Sequence, residues 1–253
     1  VAATGWAWEI LLRKWTPPLA ILLACGLHLL PVPRLLQRLT AGMMLHESGH
    51  ATAAWLCAMA AVPLLWVTHV ADHRSLVIAA TESVALLGLA WWAHARRRRT
   101  LRMATVGLLS LHLPLTWWAS EHTARGWVTW AGDGMGMVLA ALLVTSFALP
   151  TRQILAHQGI RWGLLAIGAN AWADLALPWW TALRHREVIP YGRIEGVGDS
   201  DPERLVTTWR WLEHNLVHSY VATSLVTLAA MAVAWRWGVR DAENRQRAGE
   251  QSL

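Results

Sequence analysis

Apolar residues run through this chain in blocks too long for strands and too unbroken for half-buried helices, a pattern that predicts helices crossing a membrane. Spanning about 30 Å of hydrocarbon takes roughly 20 residues at helical rise. Runs of that order lie at approximately 17–33, 41–67, 76–95, 101–119, 127–149, 161–181 and 216–238. The first is short and bracketed by Pro17, Pro18, Pro31 and Pro33, so it reads either as a span or as a re-entrant or interfacial segment. The fold class expected is therefore all-α, a polytopic helical membrane protein with six or seven transmembrane helices. One long polar stretch, about 182–215, carries Glu187, Glu195, Asp199, Asp201, Glu203 and Glu213 among its arginines and reads as an external cap. With no internal repeat and no low-complexity tract, residues 1–253 read as one helical membrane domain.

Composition sharpens this. Of 253 residues, 55% are hydrophobic and 15% charged, which excludes disordered, collagenous and coiled-coil classes. The 19 Trp against 2 Tyr and 1 Phe suit rings seated at headgroup level. Lys14 is the only lysine among the 22 basic residues, an Arg bias that suggests a GC-rich bacterial source. The net charge of +6 raises the question of nucleic acid, but the arginines gather between apolar runs instead of along one polar face, so no nucleic-acid partner is expected. Counting alternate loops puts 13 basic residues on one side, including Arg96 to Arg99, Arg102, Arg152 and the C-terminal tail, against nine on the other. The positive-inside rule then implies a bacterial inner (cytoplasmic) membrane protein with its C-terminus in the cytoplasm. Val1 reads as the residue after a removed leader or as standing where Met would, and no typical signal peptide is expected. Cys25 and Cys57 lie inside apolar runs and read as small apolar residues.

The second run contains Leu45-His46-Glu47-Ser48-Gly49-His50-Ala51. Residues four apart share a helix face, so His46 and His50 can aim two imidazoles at one ion while Glu47 reaches a water held there. With this chain's content of His and Glu, the spacing arises by accident roughly once in fifty such sequences. Three ionisable groups within five apolar-helix residues are costly in lipid and point by default to a site. The competing reading is mutual hydrogen bonding between helices.

These residues resemble the site-2 intramembrane zinc proteases, whose signature is His-Glu-x-x-His inside a membrane helix, commonly with Gly before the second His. His46, Glu47, Gly49 and His50 match it. The resemblance implies Zn2+ as cofactor, Glu47 as the catalytic base, and an Asp on a later helix as third ligand. Gly132-Asp133-Gly134 is the nearest counterpart, which makes Asp133 the expected ligand beside His46 and His50, although Gly and not Leu precedes it. Asp174, one turn after Asn170, is the rival. Gly132 and Gly136 also form a Gly-x-x-x-Gly contact whose simpler meaning is close helix packing.

Two further pairs, His69 with His73 and His214 with His218, have metal-compatible spacing, and His28 reads as a hydrogen-bonded core residue. The Trp pairs Trp91-Trp92, Trp117-Trp118 and Trp179-Trp180 read as interface anchors. The function expected is a membrane-embedded zinc metallopeptidase cutting a peptide bond within or beside a membrane segment of a membrane-protein substrate. The alternative is a non-catalytic, metalloprotease-like subunit that scaffolds partner subunits in the bilayer.

Overall fold

The computed structural model describes residues 2–148, 158–194 and 198–250. Arg152 and Glu195 lie outside the described residues. The chain is almost wholly helical: α1 (Ala2–His28), α2 (Pro31–Gln37), α3 (Met43–Leu56), α4 (Leu76–Ala95), α5 (Arg99–Leu113), α6 (Glu121–Ala148), α7 (Gln158–Ala182), α8 (Asp201–Thr207) and α9 (Glu213–Glu250). Two hairpins of very short strands interrupt it, β1 (Ala61–Pro63) with β2 (Thr68–Val70) and β3 (Arg193–Ile194) with β4 (Gly198–Asp199). π-Helical turns at Arg38–Gly42 and Pro114–Trp118 lead into α3 and out of α5.

Four described helices are long and apolar enough to cross a membrane: Trp8–His28, Leu76–Ala95, Glu121–Ala148 and Glu213–Ala248. The first of them is shifted toward the N-terminus from the expected 17–33, with Pro17 and Pro18 inside the helix, and the count is lower than the six or seven expected. The reasons are local. The expected 41–67 run is helical only as far as Leu56, the end of α3, before the chain turns at Ala58, whose φ is +57°, into the β1–β2 hairpin. α5 has 15 residues and opens with Arg99 and Arg102. α7 has the length, with 25 residues, but carries Asn170 and Asp174 in its middle.

Contacts gather into two compact units, and the chain passes from one to the other inside α3 and inside α6. The first comprises Val1–His46, Gly136–Ile189 and Glu213–Leu253. Here α1 packs on α7 and α9, and α7 on α9. The close approach of α7 to the last part of α6 depends on Gly168, where a Cβ would stand 2.7 Å from the Ala140 carbonyl oxygen and 3.0 Å from the Val144 nitrogen. Trp179 is buried and stacked on Tyr220 at 4.1 Å, while the Trp180 indole donates to Ser224 Oγ at 2.9 Å. That pair, expected at the interface, therefore belongs to the α7–α9 contact.

The second unit comprises Glu47–Met135 and Pro190–Leu212. Its centre is a small-residue wedge of Ala53, Ala54, Cys57, Met59, Ala124, Val128 and Ala131, which lets α3 and the first half of α6 run close together. The α4–α5 pair forms a hairpin beside it. Arg74 ties this unit's turns together by donating to the carbonyls of Ala119 and Leu115 at 2.7 and 2.6 Å.

Candidate metal centre

Helical periodicity puts His46 and His50 one turn apart on α3, and both are buried, as is Glu47 between them. Each imidazole presents a nitrogen within 4.8 Å of the other's. His50 is fixed by a second element: its Nδ1 lies 2.7 Å from the backbone oxygen of Val128 on α6. A carbonyl only accepts, so Nδ1 donates, and the lone pair of a neutral imidazole is then left on Nε2. Small residues at Ala53, Ala54, Ala124 and Ala131 allow the approach that makes this bond.

That lone pair faces Asp201. His50 Nε2 stands 2.9 Å from Asp201 Oδ2, with only 11% and 18% of the two side chains exposed. Two atoms that both present lone pairs, in a mostly dry setting, call for a shared cation between them, a proton or a metal ion. Asp201 reaches this place because it opens α8. Ser200 caps that helix through its hydroxyl, which accepts from the Glu203 amide at 3.4 Å, and Pro202 occupies the first turn. The segment after α8 is anchored to α6: the Trp209 indole donates to Thr129 Oγ1 at 3.0 Å and its ring meets His122 edge-on. Gly126 faces the same segment, where a Cβ would make only ordinary contact with Trp209 and Trp211 at 3.5–3.6 Å.

Glu47 is held from another direction. The Thr68 hydroxyl, at the start of β2, lies 2.8 Å from both the Glu47 backbone oxygen and its Oε2, so its proton is shared between them. Pairing of Thr68 with Pro63 in the β1–β2 hairpin sets the position of that hydroxyl. The carboxylate's direction is thereby set by a residue 21 positions away.

Two imidazoles and a carboxylate are the protein donors of one common kind of catalytic zinc site, which leaves a fourth position for water or substrate. The Val128 carbonyl gives His50 an outer hydrogen bond of the kind that orients metal-ligating histidines in general. By the chemistry of its donors the site fits zinc.

The other residues singled out in the sequence are not part of this three-donor group. The group with metal-type donors contains Asp201 and not Asp133, which sits half-buried on α6. Asp174 is buried in the first unit, where it pairs with Arg38 at 3.2 Å and packs against Gly42. Asn170 accepts from Gln37 Nε2 at 2.8 Å, and His28 Nδ1 donates to Gln37 Oε1 at 3.2 Å. Gly136 lies against the Leu45 backbone, as a packing glycine does. His73 contacts Glu121, the rings of His214 and His218 meet edge-on, and neither His pair gathers a third donor among the described residues.

Asp201 was not singled out as a ligand by sequence. Its one signal is Ser200-Asp201-Pro202-Glu203, which announces a capped helix start but not where that start docks. The chain matches no family model, no curated protein and no solved structure.

Proposed function

We propose that this protein is a membrane-embedded zinc metallopeptidase that cleaves a peptide bond within or beside a membrane segment, with His46, His50 and Asp201 as ligands and Glu47 as the catalytic base. The observation that carries the reading is the convergence of His46, His50 and Asp201, with His50 oriented by Val128 and its Nε2 2.9 Å from the Asp201 carboxylate. The likeness of His46, Glu47, Gly49 and His50 to the site-2 protease signature supports the same reaction class. Bound zinc supplies Lewis acidity there, lowering the pKa of a coordinated water toward about 7.

The chain's own residues do the rest. Glu47, steered by Thr68, takes a proton from the water that attacks the scissile carbonyl carbon and returns it to the departing amine nitrogen. His50 keeps its donor set aligned through the Val128 carbonyl. The small residues packed along α3 exclude bulk water from that side of the site. We place the protein in a bacterial cytoplasmic membrane with the C-terminus cytoplasmic, on the strength of the clustered arginines.

The test is metal analysis and proteolysis on full-length protein in detergent, with a single-span model peptide as substrate. One zinc per chain is expected in wild type and in Glu47→Gln alike, with cleavage in wild type only. Absence of stoichiometric zinc, or full activity in Glu47→Gln, overturns the proposal. Zinc without cleavage by wild type supports instead a structural metal in a non-catalytic subunit.

A further inference from the structure

Away from α3, the tip of the α4–α5 hairpin encloses a cavity of about 290 Å³ lined by Ala93, His94, Arg97, Arg99 and Arg102. Its charge is one-sided. Arg96, Arg97, Arg98, Arg99 and Arg102 pair with no carboxylate among the described residues; the Arg102 guanidinium donates to His94 Nδ1 at 3.1 Å, and Arg98 lies over the Trp92 ring. Guanidinium groups gathered around one hollow repel each other unless an anion sits among them.

The backbone adds to the same field. α5 begins with no side chain capping its N-terminus and no acidic residue in its first turn, so the positive end of a 15-residue helix is left open beside Arg99. The preceding turn is built around Arg97 at φ +53°, with the Arg98 amide bonded to the Ala93 carbonyl and the Arg97 amide to that of His94. This is the helix-ending turn that usually employs glycine, because a side chain in the left-handed region costs about 1–2 kcal/mol. Placing an arginine there spends stability to bring a guanidinium to the hollow.

The position in the bilayer names the anion. α4 is one of the four helices able to cross a membrane, and nearly all of it is uncovered. Trp91 and Trp92 are exposed just before the arginines, at the level aromatic rings take between hydrocarbon and headgroups. On the same two helices the exposed Val84, Leu87, Met103 and Val106 offer an apolar track for acyl chains. From the cavity, the unpaired arginines and this track we infer that the α4–α5 tip is a binding site for the headgroup phosphate of an anionic phospholipid.

Inorganic phosphate shares the recognised chemistry but lacks the track, so the two are separable. Full-length protein in neutral detergent is titrated with short-chain phosphatidylglycerol, phosphatidylcholine and inorganic phosphate. Phosphatidylglycerol is expected to bind at least tenfold more tightly than either of the others. Each basic residue at an anionic surface is worth roughly a factor of five, so Arg97→Gln/Arg99→Gln/Arg102→Gln should weaken phosphatidylglycerol about 100-fold. The charge-matched Arg236→Gln/Arg240→Gln/Arg247→Gln variant on α9 should bind as wild type. Should the triple variant fail to fold, Arg102→Gln alone should lose about fivefold. Equal binding of phosphatidylglycerol and phosphatidylcholine, an equal loss in the α9 variant, or phosphate binding as tightly as lipid overturns the inference.

Discussion

Replacing Asp201 by Asn keeps the side chain's shape but removes the charge that faces His50 Nε2 across 2.9 Å. Zinc held by a complete protein site is worth roughly 10–16 kcal/mol over four donors, or about 2.5–4 kcal/mol per donor. At 1.4 kcal/mol per decade, losing one of the three donors weakens zinc by two to three orders of magnitude. Asp201→Asn also loses the ionic contact with His50 Nε2 in the metal-free protein, so the zinc-dependent gain of each variant over its own metal-free form is the quantity compared. Thermal unfolding in chelator-buffered zinc converts this into a readout. At a free zinc concentration 100 times the wild-type Kd, wild type gains about 2.7 kcal/mol, whereas a variant bound 100-fold more weakly gains about 0.4 kcal/mol. Asp133→Asn and Asp174→Asn, which alter the carboxylates singled out by sequence, should keep nearly the whole wild-type gain. A zinc-dependent shift preserved in Asp201→Asn, or abolished in Asp133→Asn, would refute the assignment of Asp201.

Three other outcomes are expected. Thr68→Val removes the hydroxyl that directs Glu47 Oε2 and should lower turnover at least tenfold while zinc content stays at wild-type level, with Thr68→Ser restoring most of it; metal analysis beside a cleavage assay checks both. Gly168→Ala puts a methyl 2.7 Å from the Ala140 carbonyl oxygen and should destabilise by about 1–3 kcal/mol, whereas Gly163→Ala, with nothing within 4 Å, should be neutral or slightly stabilising; chemical unfolding in micelles separates them. Burial pushes the Cys57 thiol up to about 11, so it should resist iodoacetamide at pH 8 in the folded protein and react once unfolded. Because that folded value lies above the ordinary 9.0, the thiol's contribution to stability is complete below pH 9 and is lost as pH rises toward 11.

What could be read from the sequence divides along the range of the interactions involved. The pairing of His46 with His50 is visible because both follow from one helical turn, and Glu47 comes with them. The carboxylate opposite His50 is not, because Asp201 is about 150 residues away and arrives through the capped start of α8 and the Trp209–Thr129 bond, contacts with no periodic signature. Gly132-Asp133-Gly134 drew attention through likeness and small neighbours, yet small neighbours also serve packing, as at Gly136 against Leu45. The all-α class, and the presence of helices long and apolar enough to cross a membrane, followed from the hydropathy pattern, whereas their number did not. Hydropathy runs unbroken from α3 into the hairpin because the turn is made by Ala58 at φ +57° and not by a glycine, and the one residue type that marks the break, Pro63, stands five positions later in β1. That break is also what makes a site possible. Had 41–67 continued as one helix, Thr68 would lie more than 30 Å along the axis from Glu47, at about 1.5 Å per residue, instead of 2.8 Å from its carboxylate. The departure from the simple hydropathy reading and the placement of the Glu47 carboxylate against Thr68 therefore have one physical cause.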